Sequence, residues 1–465
     1  MKAAAAIFLL MLAAGILPAQ DFTRFYQDSA DLQAAKQLLP GRNKTLWLGG
    51  YKIPAGDNSR AWIYHLNEEG DVLEKYHFPG NQEQIWAGMD TIGNGVAAIT
   101  GLREAGGEIS YYLSICRSDS LISQSYLPEL DNAVLDDVRP AAGRKLLICG
   151  FRNSPGIAGN DFFIARVQID SAKTDWAFQD GFGPNDHISM AKELPDGSVL
   201  FCGTVASQGN NYNPCIGKLD SAGNQLWLNV VDTPWNDGAQ KFTLDENGDI
   251  WLVGESSTSA GSFFDTEIFR FNSDGQLILQ QWLGSPGQDA AFVIERKLLS
   301  SGFWVAGYSN AGSNGSGPIS PFLMSLDTAG NSLGEAFWNL TAPSPVYSML
   351  NRGDSLFYFC GITANKGFLM KRKNPSLSPV FVVNTQPISG RKTGITPGFY
   401  ELEDAFRKGE ISSIRLMDLS GRLIAQIDNP RDLPELPLAK GGYYLLTIAL
   451  RTGEVFRMPY FGQRR

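Results

Sequence analysis

The sequence predicts an all-β fold: a seven-bladed β-propeller followed by a small C-terminal β-sandwich. Three observations predict it. An apolar strand ending in glycine recurs about every fifty residues. Tight-turn residues follow each recurrence, with period-2 alternation in place of helical spacing. The 465 residues include 50 Gly, 27 Phe, 15 Tyr and 10 Trp, a composition of short strands and many turns.

The recurring strand reads Leu46-Trp47-Leu48-Gly49, Ala98-Ile99-Thr100-Gly101, Leu147-Ile148-Cys149-Gly150, Leu200-Phe201-Cys202-Gly203, Trp251-Leu252-Val253-Gly254, Trp304-Val305-Ala306-Gly307 and Tyr358-Phe359-Cys360-Gly361. Successive glycines are 52, 49, 53, 51, 53 and 54 residues apart. A further strand follows each glycine, as at Phe162-Phe163-Ile164-Ala165. A turn such as Leu219-Asp220-Ser221-Ala222-Gly223-Asn224 comes next, where Asp bonds its own backbone and Gly takes positive φ. A strand with an aromatic in register then follows: Tyr76, Tyr126, Trp176, Trp227, Trp282 and Trp338. Four short antiparallel strands per fifty residues make one propeller blade.

An open ring would expose strand edges. Residues 33–38 resemble 190–194, the strand preceding a glycine strand, so the N-terminus enters partway through a blade. The last repeat, from Leu356 to about Val383, supplies that blade's other strands. Strands from both ends then close the ring. Seven blades fit; the short final repeat leaves six and eight as the other closures.

Residues 1–19 read as a secretory signal peptide: Met1-Lys2, an uncharged apolar run from Ala3 to Ile16, then Leu17-Pro18-Ala19. No later run approaches the roughly 20 apolar residues of a membrane helix. Five cysteines are odd for an exported chain. Cys149, Cys202 and Cys360 fall at repeated positions and read as buried small side chains; Cys202 and Cys215 could face each other across a hairpin. Lys and Arg total 39 against 48 Asp and Glu, a net charge of -9, which argues against a nucleic-acid partner.

The chain divides into the signal peptide (1–19), the propeller (20–384), a Pro/Gly-rich linker (385–409) and the C-terminal module (410–465). The repeat, clearest from Asp237 to Gly254 and at Lys218-Leu219-Asp220-Ser221-Ala222-Gly223 with Trp227, resembles a β-propeller repeat common in exported bacterial proteins. The C-terminal module, with Asp418, Gly421 and Arg422 in one turn, Leu438, Gly441 and Tyr443 in a second unit and Arg464-Arg465 at the end, resembles the sorting domain of type IX secretion cargo of Bacteroidota. Thr396-Pro397-Gly398-Phe399 stands where many members carry an Asn-Pro segment. The resemblance implies export to the periplasm, passage through the outer-membrane secretion machinery, and a secreted or surface location. Asp-Ser/Thr-aliphatic triplets resemble the O-glycosylation motif of such proteins, which would place glycans on Ser29, Thr91, Ser120, Ser171, Ser221, Thr328 and Ser355. Turn chemistry alone also explains these triplets.

Chemistry motifs are sparse. The three histidines, His65, His77 and His187, form no metal spacing; a tight hairpin puts Glu74, not His77, opposite His65. Neither a metal nor a cofactor is expected, since zinc, nucleophile-elbow and Walker motifs are missing. Asp245-Glu246-Asn247-Gly248-Asp249 departs from an EF-hand at its sixth and twelfth positions and reads as a hairpin turn. Asp186, Asp237 and Asp289 recur 17, 17 and 18 residues before a strand-ending glycine. They either ring a channel mouth or bond backbone amides where a strand begins. Trp235 lies off the aromatic ladder and is the best single ligand-facing aromatic.

The sequence therefore points to an exported binding or interaction module for a protein or glycan. Its variable loops are 153–160, 207–214, 256–264 and 309–320. An extracellular carbohydrate-active enzyme using channel-mouth carboxylates and a surface structural protein are the rival readings.

Overall fold

In the computed structural model, the repeat folds as seven four-stranded antiparallel sheets. The structure describes residues 21–386, apart from 29, 94, 105, 118–119, 154–158, 182, 184, 207–211, 234–235, 258–264, 284–287, 311–316, 341, 374, 376 and 378–381. It also describes the strands Ile411–Asp418, Leu423–Asp428, Tyr443–Leu450 and Val455–Phe461. The expected signal peptide and the linker after Gln386 lie outside the described residues, as do Ser29, Trp235, Gly421, Arg422, Leu438 and Gly441.

The inner strands of blades one to seven are Ala30–Pro40, Glu83–Ile92, Ala133–Ala141, His187–Glu193, Asp237–Leu244, Asp289–Arg296 and Val346–Arg352. Every one carries a β-bulge at the same place. The unpaired residues are Lys36, Ala87, Asp136, Ser189, Gln240, Phe292 and Tyr347.

This bulge explains the repeated glycine. It brings an inner-strand carbonyl against the second strand. At Gly50, Gly150, Gly203, Gly254, Gly307 and Gly361 an added Cβ would lie between 1.8 and 2.0 Å from the carbonyl oxygen of Ala34, Val134, His187, Gly238, Ala290 and Pro345 respectively. No side chain fits there. The register corrects two members of the sequence series. Gly50, rather than Gly49, faces Ala35, and Thr100, rather than Gly101, faces the residue before the bulge of blade two. A Cβ at Gly49 or Gly101 would meet side chains instead.

Both chain ends close the ring, but not as expected. Blade one is complete from its own segment, through Arg60–Leu66 and Val72–His77. The closing strand is Phe22–Tyr26, which pairs with Lys366–Lys373 as the outer strand of blade seven. Residues 33–38 belong instead to the inner strand of a whole blade. Tyr26 locks the seam: its hydroxyl donates to the Gly70 carbonyl of blade one at 2.7 Å.

Apolar clusters fill the spaces between adjacent blades, as where Trp251 packs on Phe303 with centroids 4.6 Å apart. Each such buried side chain contributes roughly 1.5–3 kcal/mol. The aromatics expected in one register occupy several. Trp176 and Trp227 share a position, whereas Tyr126 and Trp282 sit three residues away along the blade. All five cysteines are buried and free.

The segment Val382–Gln386, at the expected domain boundary, pairs with Leu277–Leu283 as a fifth strand of blade five. The described C-terminal strands form one antiparallel sheet, in the order 423–428, 411–418, 443–450, 455–461. The second sheet of the expected sandwich is not among the described residues. No helix among the described residues is long and apolar enough to cross a membrane.

Candidate ligand-binding mouth of the central channel

A bulge turns one extra residue out of the ladder. Here the seven extra residues ring the channel. The charge of Lys36 in blade one acts on Asp136 in blade three and Lys241 in blade five. Those blades are not neighbours, so only the central channel brings these side chains near one another.

One arc of this ring is aromatic. Phe292 lies 5.6 Å from Tyr308 and 6.3 Å from Tyr347, centroid to centroid. Lys36 Nζ rests 3.6 Å from the Tyr347 ring centroid. Tyr51 is close enough to help raise the Tyr347 phenol to about 12, though burial is the larger cause. Beside the aromatics, Gln240 bonds Glu255, and Glu255 faces Tyr308. All seven side chains are half-buried, as expected of a wall that solvent or ligand can reach. Tyr51, Glu255 and Tyr308 each follow the repeat glycine, toward the end where the second strands finish. The four variable loops begin there, so arc and loops share one mouth.

Further charges of both signs act on one another across the channel: Asp90, Asp137, Arg139, Lys192, Lys241 and Glu295. Arg139 Nε donates to Asp137 at 2.7 Å. Enclosure by the channel walls pushes Asp136 and Glu295 up to about 7 and Asp90 up to about 6, while it lowers the ammonium pKa of Lys36, Lys192 and Lys241; Asp136 and Lys192 themselves are exposed to the lumen. Asp137 adds to the rise at Asp136. Counting Lys36 and Asp136, four basic and four acidic groups share this lumen, so its net charge turns positive as the carboxylates take up protons.

The three sequence-predicted aspartates sit where the inner strands begin. Asp186 takes the backbone role: Oδ1 accepts from the Ala206 amide and Oδ2 from the Gly183 amide, each at 2.9 Å. Asp289 is buried and lines a small cavity of about 10 Å³ with Thr266, Ser309 and Glu335, room for one water molecule. Glu335 there is pushed up to about 8 by burial and by Asp289. Asp237 is buried, and burial raises its pKa against the opposing pull of the Ser256 and Thr233 hydroxyls and the Ser257 amide. None of the three is an aromatic-arc residue, though the charge of Asp289 reaches Tyr308.

The turn readings hold. Asp220 Oδ1 accepts from Ala222 and Asn224, Asp327 Oδ1 from Ala329 and Asn331, and Asp245 Oδ1 from Asn247 and Asp249, at 2.8 to 3.0 Å. Thr91, Ser171, Ser221, Thr328 and Ser355 are exposed; Ser120 begins the strand Ser120–Tyr126. Glu74 stands opposite His65, 3.2 Å from its Nδ1. Among the described residues no three His, Cys, Asp or Glu side chains gather as a metal site. A hollow of about 430 Å³ is an open polar groove lined by Asn58, Asn81, Gln82, Glu83, Arg103 and Glu104.

The aromatic arc escaped sequence reading because its members come from three blades and no local motif joins them. The available signal was the residue two before each glycine-facing carbonyl's partner strand resumes pairing, visible only once the bulge is known.

Ring and mouth together define a closed seven-bladed β-propeller with an aromatic-walled channel. No family model matches the chain, and no curated protein does. Solved structures similar to it include a puromycin hydrolase mutant at 16% identity, covering 75% of this chain and 52% of that one, with a TM-score of 0.41. Others are PorZ, described as a bacterial surface component of the type IX secretion system of Porphyromonas gingivalis (12%, 92% and 70%, 0.33), and Drosophila Semaphorin 2a (8%, 95% and 98%, 0.44). The chain thus spans about half the length of the puromycin hydrolase.

Proposed function

We propose that this chain is an exported binding module whose propeller takes a glycan at the aromatic mouth of its channel. The observation that carries the reading is the arc of Tyr51, Tyr347, Phe292 and Tyr308, flanked by Lys36, Gln240, Glu255 and Asp136. A sugar presents C–H faces that pack on aromatic rings and hydroxyls that exchange hydrogen bonds with amide, carboxylate and ammonium groups. The variable loops around the same mouth supply selectivity. A protein loop inserted into the mouth is the second form of partner.

Export rests on the leader-like residues 1–19, and surface sorting on the resemblance of residues 410–465 to a type IX sorting domain. Two experiments test the proposal. A glycan and protein array probed with the chain from residue 20 onward should return glycans that compete with one another for a single site; an array without hits, or hits restricted to enzymatic turnover, contradicts it. Deleting residues 388–465 should trap the protein in the periplasm; unchanged secretion removes the sorting assignment.

A further inference from the structure

The channel has two unlike walls. Aromatic residues line it on blades six, seven and one. On blades three, four and five the inner strands carry cations instead. Arg139 and Lys192 each stand three residues after the bulge of their strand, and Lys241 stands one after. These positions share one face of the inner strands, because side chains alternate with period 2. At about 3.3 Å per residue, Lys241 is one step below the aromatic tier and the other two are three steps below. The charges meet across the lumen: Arg139 acts on both Lys192 and Lys241.

The acids of the lumen have partners within the chain. Asp137 accepts from Arg139 Nε at 2.7 Å, Asp90 from the Thr91 amide and Glu295 from the Asn351 amide. Asp136 has the charge of Lys36 across the channel. The lysines are held differently. The charge acting on Lys192 is the like charge of Arg139. Asp137 and Glu295 act on Lys241 from a distance, and Arg139 opposes them. Among the described residues neither ammonium pairs with a carboxylate. Lys192 is exposed to the lumen and Lys241 is half-buried, so an entering ligand reaches both.

We infer that the glycan taken at the mouth is acidic, with its oxyanion held by Lys192 and Lys241 opposite the aromatic wall. The inference rests on the glycan reading above and adds the ligand's charge to it. A sugar ring stacked on Tyr347 and Phe292 turns its other edge toward blades three to five. A carboxylate or sulfate on that edge gains charge-assisted hydrogen bonds to two ammonium groups that pair with no carboxylate of the chain. Arg139 stays on Asp137 and contributes its field. Uronic acids and sulfated sugars share this chemistry. A neutral sugar leaves two enclosed cations without a counter-charge. The chain as a whole carries a net charge of -9, so the preference is local, arising where the lysines are near and salt screens weakly.

Calorimetric titration of the full chain with three oligosaccharides of one backbone tests this: neutral, oxidised to the uronate, and sulfated. The acidic forms should bind roughly tenfold or more tighter than the neutral one, and the stronger of the two identifies the oxyanion. Lys192→Met/Lys241→Met keeps both apolar stems and removes both charges. It should bind the acidic forms no tighter than the neutral one. Inorganic sulfate, against chloride at equal ionic strength, should raise the melting temperature of the wild type and not that of this variant. Equal affinity of the wild type for acidic and neutral forms overturns the inference and leaves the glycan reading standing. So does a preference that survives in the variant. A lysine-dependent sulfate shift without any sugar binding supports the oxyanion site and overturns the glycan reading. The absence of both sugar binding and a sulfate shift overturns the two together.

Discussion

The ammonium of Lys36 sits 3.6 Å from the centroid of the Tyr347 ring. Lys36 is the bulged residue of the first blade and Tyr347 that of the last, so this contact spans the seam of the ring at the channel mouth. A cation held over an aromatic face contributes about 0.5–2 kcal/mol. Lys36→Met keeps the aliphatic stem and removes the charge. It should lower the unfolding free energy by that amount and leave the circular dichroism spectrum unchanged. Equal urea midpoints for both proteins would show that the contact is not formed in solution.

The lumen should make stability depend on pH in a definable way. An unfolded Asp loses its proton near pH 4, to a rough value. In the folded ring Asp136, whose side chain is exposed to the channel, keeps its proton up to about 7, because the surrounding channel walls and Asp137 disfavour its anion. Between these values the folded chain binds more protons than the unfolded one, so this group's contribution to stability falls as pH rises through that window. Asp136→Asn removes the contribution. The stability of the wild type minus that of the variant should therefore decline from about pH 4 to about pH 7 and level off beyond; parallel urea curves across the window would refute the assignment.

The glycines opposite the bulges should tolerate no side chain. In Gly254→Ala the new methyl would lie 1.8 Å from the Gly238 carbonyl oxygen, so the strands must part. We expect a loss of about 1–3 kcal/mol or more, the usual range for forced overpacking. Gly106→Ala is the control, since an added Cβ there has nothing within 4 Å. Thermal melts of the two variants should differ by several degrees; similar melting would mean the bulge is not a fixed feature.

Ring closure should depend on residues 22–26. Removing them strips blade seven of its outer strand and the Tyr26–Gly70 bond. The truncated chain should aggregate or melt earlier, because the edge of Lys366–Lys373 becomes unpaired. The milder Tyr26→Phe should cost about 1 kcal/mol, the scale of one buried hydrogen bond. A truncated chain as monomeric and as stable as the parent would contradict this closure.

Much of the architecture was legible in residue order. The fifty-residue period, the Asp-x-x-Gly turns at Asp220 and Asp327, and the pairing of His65 with Glu74 all follow from local rules that the fold obeys. Register was harder. Gly49 and Gly50 are adjacent, and only the carbonyl of Ala34 shows which one the bulge requires. The closing strand was misplaced because Phe22–Tyr26 carries no glycine signature; an outer strand far from the bulge needs none. The channel arc was invisible for a different reason. Lys36, Gln240, Phe292 and Tyr347 have no common chemistry, and what unites them is a backbone irregularity that sequence alone does not print.

The central claim is that ligand meets the aromatic arc. Its most direct measurement is the affinity of the best array glycan for the wild type and for Phe292→Ala/Tyr347→Ala, with Tyr126→Ala, on the exposed outer rim, as control. The account predicts that the double variant loses binding by at least about 100-fold, near 3 kcal/mol, while the rim variant binds as the wild type does. Undiminished binding by the folded double variant would contradict it.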